Sequence, residues 1–408
     1  MRFRLQPTPV QEATLLEHCA HARYVWNLAV EQHQHWRPGR VSAPGYVAQS
    51  RQLTEARKAF AWLAAGSQTV QQQALRDFAQ AMANFFAGTH RRPSWRKAGI
   101  HEGFRVVGQR GNHWDVRRLS RKVGQVRVPK VGWVRFRWSR DVPAEAKSFR
   151  IKRDRAGRWH VCFAMIPTPI DGPGTGEVVG ADRGVTVSAA LSTGELLSAP
   201  GLRDTEARRL LRLQRRLARA KRGSNRRKRV KTAIARLKAR EADRRRDWVE
   251  KTSTDLACRF DLIRVEDLKI KNMVRSARGT PAAPGKNTRA KAGLNRAIHA
   301  AGWGQLATRL EQKAPGRMEK IDPAYTSQTC HACGHRAADN RESQAVFRCR
   351  ACGHNDHADV NAAKNIAAGR AVTCLSRPTS PGRPPVRGAL QPLGGAVNRE
   401  PQPVLSSA

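Results

Sequence analysis

Hydrophobic spacing changes twice along this chain, and the changes divide it. Across TPVQEATLLEHCAHARYVWNLAVEQHQHW, Leu15, Leu16, Tyr24, Val25, Leu28 and Ala29 recur at close to 3.6 residues, which predicts an amphipathic helix. SQTVQQQALRDFAQAMANFFAG predicts a second helix, with Val70, Leu75, Phe78, Met82, Phe85 and Phe86 on one broad face and Gly88 past its end. The opening RFRLQP alternates instead, and reads as a strand whose partners lie further on. From about residue 96 to 176 the period becomes two. KVGQVRVPKVGWVRFRW alternates Val with Arg and then brings Trp133, Val134, Phe136 and Trp138. SFRIKRDRAGRWHVCFAMI predicts a hairpin that turns at residues 154–157. These strands predict a small β-barrel, with the helices inserted after its first strand. The Pro/Gly-rich stretch PTPIDGPGTGE, residues 167–177, reads as a linker.

Beyond it, apolar strands alternate with helices. VVGADRGV and TVSAALSTGE predict two strands, DLIRVEDL (261–268) a third and RMEKIDP a fourth. Residues 203–247 carry about twenty Lys and Arg on a helical pattern, with Leu210, Leu211, Leu213 and Leu217 as one apolar face. GSN at 223–225 breaks that run into a helical hairpin. Residues 276–293 predict a flexible basic loop, LNRAIHAAGWGQLATRLEQKA a helix, and ADVNAAKNIAAGRA the start of the last helix. Past about 375, LSRPTSPGRPPVRGALQPLGG has the composition of a disordered tail.

Charge changes this picture most. Seventy-six Lys and Arg stand against 32 Asp and Glu, a formal net charge of +44. A folded chain with that self-repulsion needs a polyanion, and phosphate backbones are the commonest one. Other basic proteins, ribosomal or membrane-surface, are the competing reading, although ribosomal proteins are usually much shorter. A merely solvated helix face would mix signs; acids are scarce in 203–247, so that hairpin is expected to contact nucleic acid. No stretch approaches ~20 apolar residues, so no membrane span is expected. MRFRLQPTPVQ has no apolar signal core, so the expected location is the cytoplasm.

Of eight cysteines, Cys19, Cys162, Cys258 and Cys374 are isolated, whereas Cys330, Cys333, Cys349 and Cys352 form C-x2-C-x15-C-x2-C. In a chain that is not secreted, such clustering points to metal rather than to disulfides. The spacing predicts a zinc ribbon, two knuckles that each present two thiolates to one tetrahedral Zn²⁺. Both knuckles read CGH, with glycine where the backbone must turn. His331, His335, His354 and His357 are near enough to compete as ligands, but four thiolates already fill the tetrahedron. The site is therefore closed, with a structural or nucleic-acid-binding role rather than a catalytic one.

In a chain so poor in acid, three carboxylates stand out. Asp182 ends the apolar strand VVGAD, Glu266 ends LIRVE, and Asp359 begins the helix after the ribbon. Singly, each reads equally well as a turn or cap residue. Together, on strand, strand and helix of one α/β sheet, they form the Asp/Glu/Asp set of RNase H-like nucleases. Cutting a phosphodiester needs an activated water and a stabilised leaving oxygen, and two Mg²⁺ about 4 Å apart supply both. Mg²⁺ prefers carboxylate oxygen.

GADRGV, VEDLKIKNM, AGWGQLATRLEQKA, TSQTCHACGH and CGHNDHADVNAAKNI together resemble the TnpB (OrfB-type) family. These are transposon-encoded RNA-guided nucleases, related to type V CRISPR effectors. RFRLQPTPVQ, ARYVWNLAV and RRPSWRK match the family's opening, so the resemblance runs in order over about residues 1–370. It implies an α/β multidomain protein: a wedge β-barrel (1–8 and 96–176), a helical recognition insert (9–95), and a RuvC nuclease domain (177–325 and 355–375) around the ribbon (326–354), with the tail at 376–408. It implies Asp182, Glu266 and Asp359 as the catalytic, Mg²⁺-binding triad. The family commonly shows D-R-D before N-A-A; here His357-Ala358-Asp359 lacks the first acid, and Asp356 is the competitor for the third ligand. Guide RNA along the barrel and nuclease surface, and duplex target DNA, are the implied partners. No protein oligomer is required, and nucleoid association is expected in a prokaryote. The match for reading a motif beside the target falls on Gln68, Thr69 and Gln72, with Gln73 nearby, since glutamine can pair bidentately with adenine; an ordinary polar helix face is the alternative. A nuclease-dead RNA-guided repressor would lose an acid, and a conventional transposase would carry a tyrosine beside a histidine motif. The sequence shows neither. A transposon-borne enzyme and a miniature CRISPR effector share every motif quoted.

Overall fold

The computed structural model describes residues 1–34, 42–108 and 110–369. The expected tail and Cys374 lie outside the described residues. Strand β1 (Arg2–Gln6) is followed by helices α1 (Pro9–Gln34), α2 (Tyr46–Ala59), α3 (Ala61–Ala65) and α4 (Gln68–Phe86) before any partner strand arrives. Then come β2 (Gly103–Val107), β3 (Val116–Arg118), β4 (Val123–Val128), β5 (Gly132–Arg137), β6 (Ser148–Arg153) and β7 (Trp159–Phe163). The sheet runs β2-β6-β7-β1-β5-β4-β3, with β1 at its centre. Residues 2–4 pair with β7, whereas Leu5 and Gln6 pair with β5, so β1 joins the two halves.

Alternation works as expected here: Val126, Val128, Val134 and Phe136 are buried while their Arg neighbours point outward. Phe3, Trp114, Phe136, Phe149 and Phe163 pack ring against ring. The same core takes in Leu15, Val25, Val70, Leu75 and Phe78 from the helices. Each such burial contributes roughly 1.5–3 kcal/mol, which is what fastens helices to sheet. The expected barrel does not close among the described residues. Strand β3 offers a partner only three residues, α1 and α4 pack against β2, and the two edges remain apart.

Residues 167–177 link to the second body and are pinned rather than loose. The N–H groups of Gly174 and Gly176 donate to the two carboxylate oxygens of Asp261 at 2.9 and 2.6 Å. Strands β8 (Val178–Asp182), β9 (Ala189–Leu191) and β10 (Leu196–Leu197) precede the basic hairpin of α5 (Asp204–Arg219) and α6 (Asn225–Arg259). Then follow β11 (Leu262–Glu266), α7 (Ile270–Met273), α8 (Thr288–Ala301), α9 (Trp303–Lys313), β12 (Met318–Ile321), the ribbon strands β13 (Val346–Arg348) and β14 (Asn355–His357), and α10 (Ala358–Ala367). The sheet order is β10-β9-β8-β11-β12; β8, β11 and β12 run parallel and the other pairings are antiparallel.

Three local expectations change. Leu210 and Leu213 are buried but Leu211 is 49% exposed, because consecutive helical residues do not share a face. The basic loop gives way to helix at Thr288, and the helix expected over 294–314 is two helices broken at Gly302, whose φ is +75°. No described helix is long and apolar enough to cross a membrane.

Candidate functional site

Strand alternation decides where the acids point. Val179 and Ala181 of β8, with Ile263 and Val265 of β11, are buried in the core that includes Leu256 of α6 and Leu306 and Leu310 of α9. Their neighbours Gly180, Asp182, Arg264 and Glu266 therefore face the opposite side. Helix α10 lies on that side: Arg264 Nη1 donates to the Ala367 carbonyl at 2.6 Å. Asp182 and Glu266 each stand one step past the paired Ala181 and Val265, at the ends of neighbouring parallel strands. Asp359 occupies the first turn of α10. The three acids predicted from sequence thus meet on one face.

Their environment is unfavourable for negative charge. The Asp182 carboxyl is pushed up to about 7, first by burial and then by the charges of Glu266 and Asp359. Glu266 is also raised by burial, even though Thr326 Oγ1 donates to its Oε1 at 2.9 Å. Arg183 is buried beside them, donates to the Glu266 carbonyl, and is lowered by that burial. Arg341 Nη2, from the ribbon, donates to Asp359 Oδ1 at 2.8 Å and to the Gln344 carbonyl at 3.0 Å. Crowded carboxylates out of water are stabilised by cations, and all-oxygen donors suit a hard one such as Mg²⁺. Both oxygens of the competitor Asp356 are engaged elsewhere, by Lys364 Nζ at 2.7 Å and by the His357 N–H at 2.8 Å.

The four predicted thiols converge as well. Their sulfurs all lie within 4.8 Å of one another. Cys330 and Cys352 are 3.8 Å apart, and Cys333 and Cys349 3.5 Å. A tetrahedron with Zn–S bonds of about 2.3 Å has edges of about 3.8 Å, so the quartet fits Zn²⁺. The knuckles are near copies: Gly334 and Gly353 have φ of +76° and +72°, and donate to the Cys330 and Cys349 carbonyls at 2.9 and 3.0 Å. Histidine is not needed to complete the set.

Ribbon and acids are joined by side chains that sequence reasoning did not single out. Asn361 Nδ2 donates to the Thr329 carbonyl at 2.8 Å, and Asn365 Nδ2 to the carbonyls of Thr326 and Thr329 at 2.9 and 2.7 Å. Both asparagines are buried and one turn apart on α10, which is the signal that could have found them. Gly180 inside an apolar strand was a second available signal, since such a glycine marks a close approach. Gln68, Thr69 and Gln72 belong to α4 in the first body and are not brought to the acids.

 On α4, Gln68 is exposed and Thr69 and Gln72 are half-buried. Gln71 and Gln73 are buried and already bonded, to the Leu63 carbonyl and to Asp77 Oδ1.

Comparison with known proteins places these features. The family described as a probable transposase, OrfB of IS605, matches residues 160–277. The one described as Cas12f1-like, TNB domain, matches 303–366. One described as a helix-turn-helix domain matches residues 1–39, whose described part folds as β1 and the single helix α1. The "Putative RNA-guided DNA endonuclease InsQ" of Escherichia coli (strain K12) is 35% identical over 396 residues, 94% of this chain and 95% of that protein. A similarly named protein of Streptomyces pristinaespiralis is 32% identical over 411 residues, 98% of this chain and 96% of that one. The fold is shared with Cas12f1 in its complex with sgRNA and target DNA, at a TM-score of 0.52 and 16% identity, over 88% of this chain and 83% of that chain. With such identity along nearly its whole length, this chain belongs to the TnpB (OrfB-type) family.

Proposed function

We propose that this protein is an RNA-guided double-strand DNA endonuclease, and that Asp182, Glu266 and Asp359 hold its catalytic Mg²⁺ pair. The observation that carries the reading is the crowding of these acids on the α10 face, which pushes the Asp182 carboxyl up to about 7. The names of the full-length relatives and of the Cas12f1 complex support guidance by RNA and DNA as the target. The order β10-β9-β8-β11-β12 supports a RuvC-type, RNase H-like nuclease domain over 177–325 and 355–375, with the ribbon at 326–354. The first sheet (1–8 and 96–176) would serve as the wedge against RNA, and the helices of 9–95 as the recognition insert. Gln68, Thr69 and Gln72 would read the flanking motif from the start of α4.

The reaction adds water across a P–O3′ bond, giving a 5′ phosphate and a 3′ hydroxyl. Mg²⁺ held by Asp182, Glu266 and Asp359 would help ionise the attacking water and offset charge on the leaving oxygen. The chain's own residues set the geometry. Thr326 fixes the Glu266 rotamer, Arg183 ties down the end of β11, and Arg341 orients Asp359 while offering its remaining N–H groups to a phosphate.

Guide-loaded protein tests this directly. Asp182→Asn, Glu266→Gln and Asp359→Asn should each reduce Mg²⁺-dependent cutting to background while guide and target binding, read by gel shift, stay intact. Asp356→Ala should still cut. Loss in Asp356→Ala with robust cutting by Asp359→Asn would refute the assignment of the third ligand.

A further inference from the structure

We infer that Tyr325, backed by Arg336, is a stacking platform for an unpaired base of the strand being cut, and so sets which phosphodiester reaches the acids. The inference rests on the nuclease reading above. It starts from the backbone. Tyr325 has a φ of +62°, the left-handed region that strains a residue with a β-carbon and that glycine or asparagine adopts more readily. Such strain persists where the surroundings impose it, and it gathers at functional sites. The surroundings here are specific. The Tyr325 carbonyl accepts from the N–H groups of Gln328 and Thr329 at 3.0 and 3.1 Å and from Thr329 Oγ1 at 3.0 Å.

The ring is not held there to fill a core, because Tyr325 is 45% exposed. The Arg336 guanidinium lies 3.0 Å from its centroid, so the cation covers the ring and the pair forms a flat, positively charged surface. The next residue, Thr326, is 2% exposed and donates to Glu266 Oε1. Consecutive Cα atoms are about 3.8 Å apart, so the platform stands one residue step from Thr326 and, through that hydrogen bond, is tied to the proposed metal ligand Glu266. Every base has a π-face, so stacking on tyrosine is indifferent to sequence. That suits an enzyme whose sequence information comes from pairing elsewhere. The ligand class is therefore an unpaired nucleobase of any identity, with its phosphate toward the acids.

The test uses guide-loaded, full-length protein and target strands with an abasic site at successive positions around the cut. Wild type should slow between about 5- and 150-fold, the usual worth of one stacked base, when one particular position is abasic, and its cut should spread to neighbouring bonds. Tyr325→Ala should show that slowing and spreading on intact DNA and be indifferent to the abasic site. Tyr325→Phe and Tyr325→Trp should behave as wild type. Tyr325→Asn removes the ring but suits the backbone, so it should melt no lower than Tyr325→Ala and still cut poorly, which separates stacking from folding. Wild-type rate and cut position in Tyr325→Asn would overturn the platform alone, as would a Tyr325→Ala variant as sensitive to the abasic site as wild type. Wild-type protein that cuts no target would overturn the nuclease reading and the platform with it.

Discussion

A β-carbon at position 180 would sit 2.0 Å from the Ala363 carbonyl oxygen and 2.4 Å from the Ala367 nitrogen. Both are backbone atoms of α10, so no side chain can swing aside; the helix itself must move. Overpacking of this kind costs about 1–3 kcal/mol. Gly180→Ala should therefore lower the melting temperature by several degrees and shift Asp359 away from Asp182 and Glu266. Calorimetry should show the first effect, and cutting reduced well beyond guide binding should show the second. At this scale the sequence was partly legible. Asp182, Glu266 and Asp359 stood out because acids are rare in the chain and these close or open apolar elements. Arg341 did not: it is one of 76 basic residues, and only the fold brings it to Asp359. Thr326 was equally silent, since its hydroxyl matters only once Glu266 arrives from another strand.

Periodicity recovered the elements that bury one clear face and lost those that do not. The β4–β5 hairpin follows its alternation, whereas β7 pairs with β6 as expected but buries Trp159, His160 and Val161 in succession. Helix α2 went unread because only Gln49 and Leu53 of it are buried, too few for an apolar stripe. The break at Gly302 was hidden because apolar residues continue across it with helical spacing. Cysteine spacing was more informative than either period, since tetrahedral thiolate coordination admits few arrangements. The ribbon should hold about one zinc per chain by elemental analysis. Cys330→Ser or Cys352→Ser should release it and lower the melting temperature, because the binding energy of a structural zinc is folding energy. Cutting should fall in parallel, since Asn361 and Asn365 bond α10 to the ribbon's base and Arg341 reaches Asp359 from within it. Zinc-free protein with an unchanged melting curve would contradict that role.

At the scale of the molecule, few acids remain to offset the basic surface. Asp243 alone takes Arg2, Arg158 and Arg246, at 3.2, 2.6 and 3.2 Å, where the first sheet meets α6. Arg4 and Arg140 line the same cleft, of about 540 Å³, together with Asp247 and Glu250, and neither arginine forms an ion pair among the described residues. The α5–α6 hairpin extends this basic surface, and its small core of Leu210, Leu213, Val230 and Leu237 leaves the arginines outside. A specific duplex site rarely offers more than about ten phosphate contacts, each engaging roughly one Lys or Arg. A net charge of +44 spread over both bodies exceeds that severalfold. A folded RNA lying across the cleft and the hairpin would account for the excess. The protein should therefore co-purify with RNA, and its affinity for that RNA should fall steeply between low and physiological salt. RNase treatment should leave it less stable and inactive on duplex DNA, because the self-repulsion of its basic surface is then unopposed. A guide whose variable end matches the target should restore cutting, and only beside the correct flanking motif. RNA-free protein that cuts the same duplex at the same site would remove guidance from the account and leave only the nuclease.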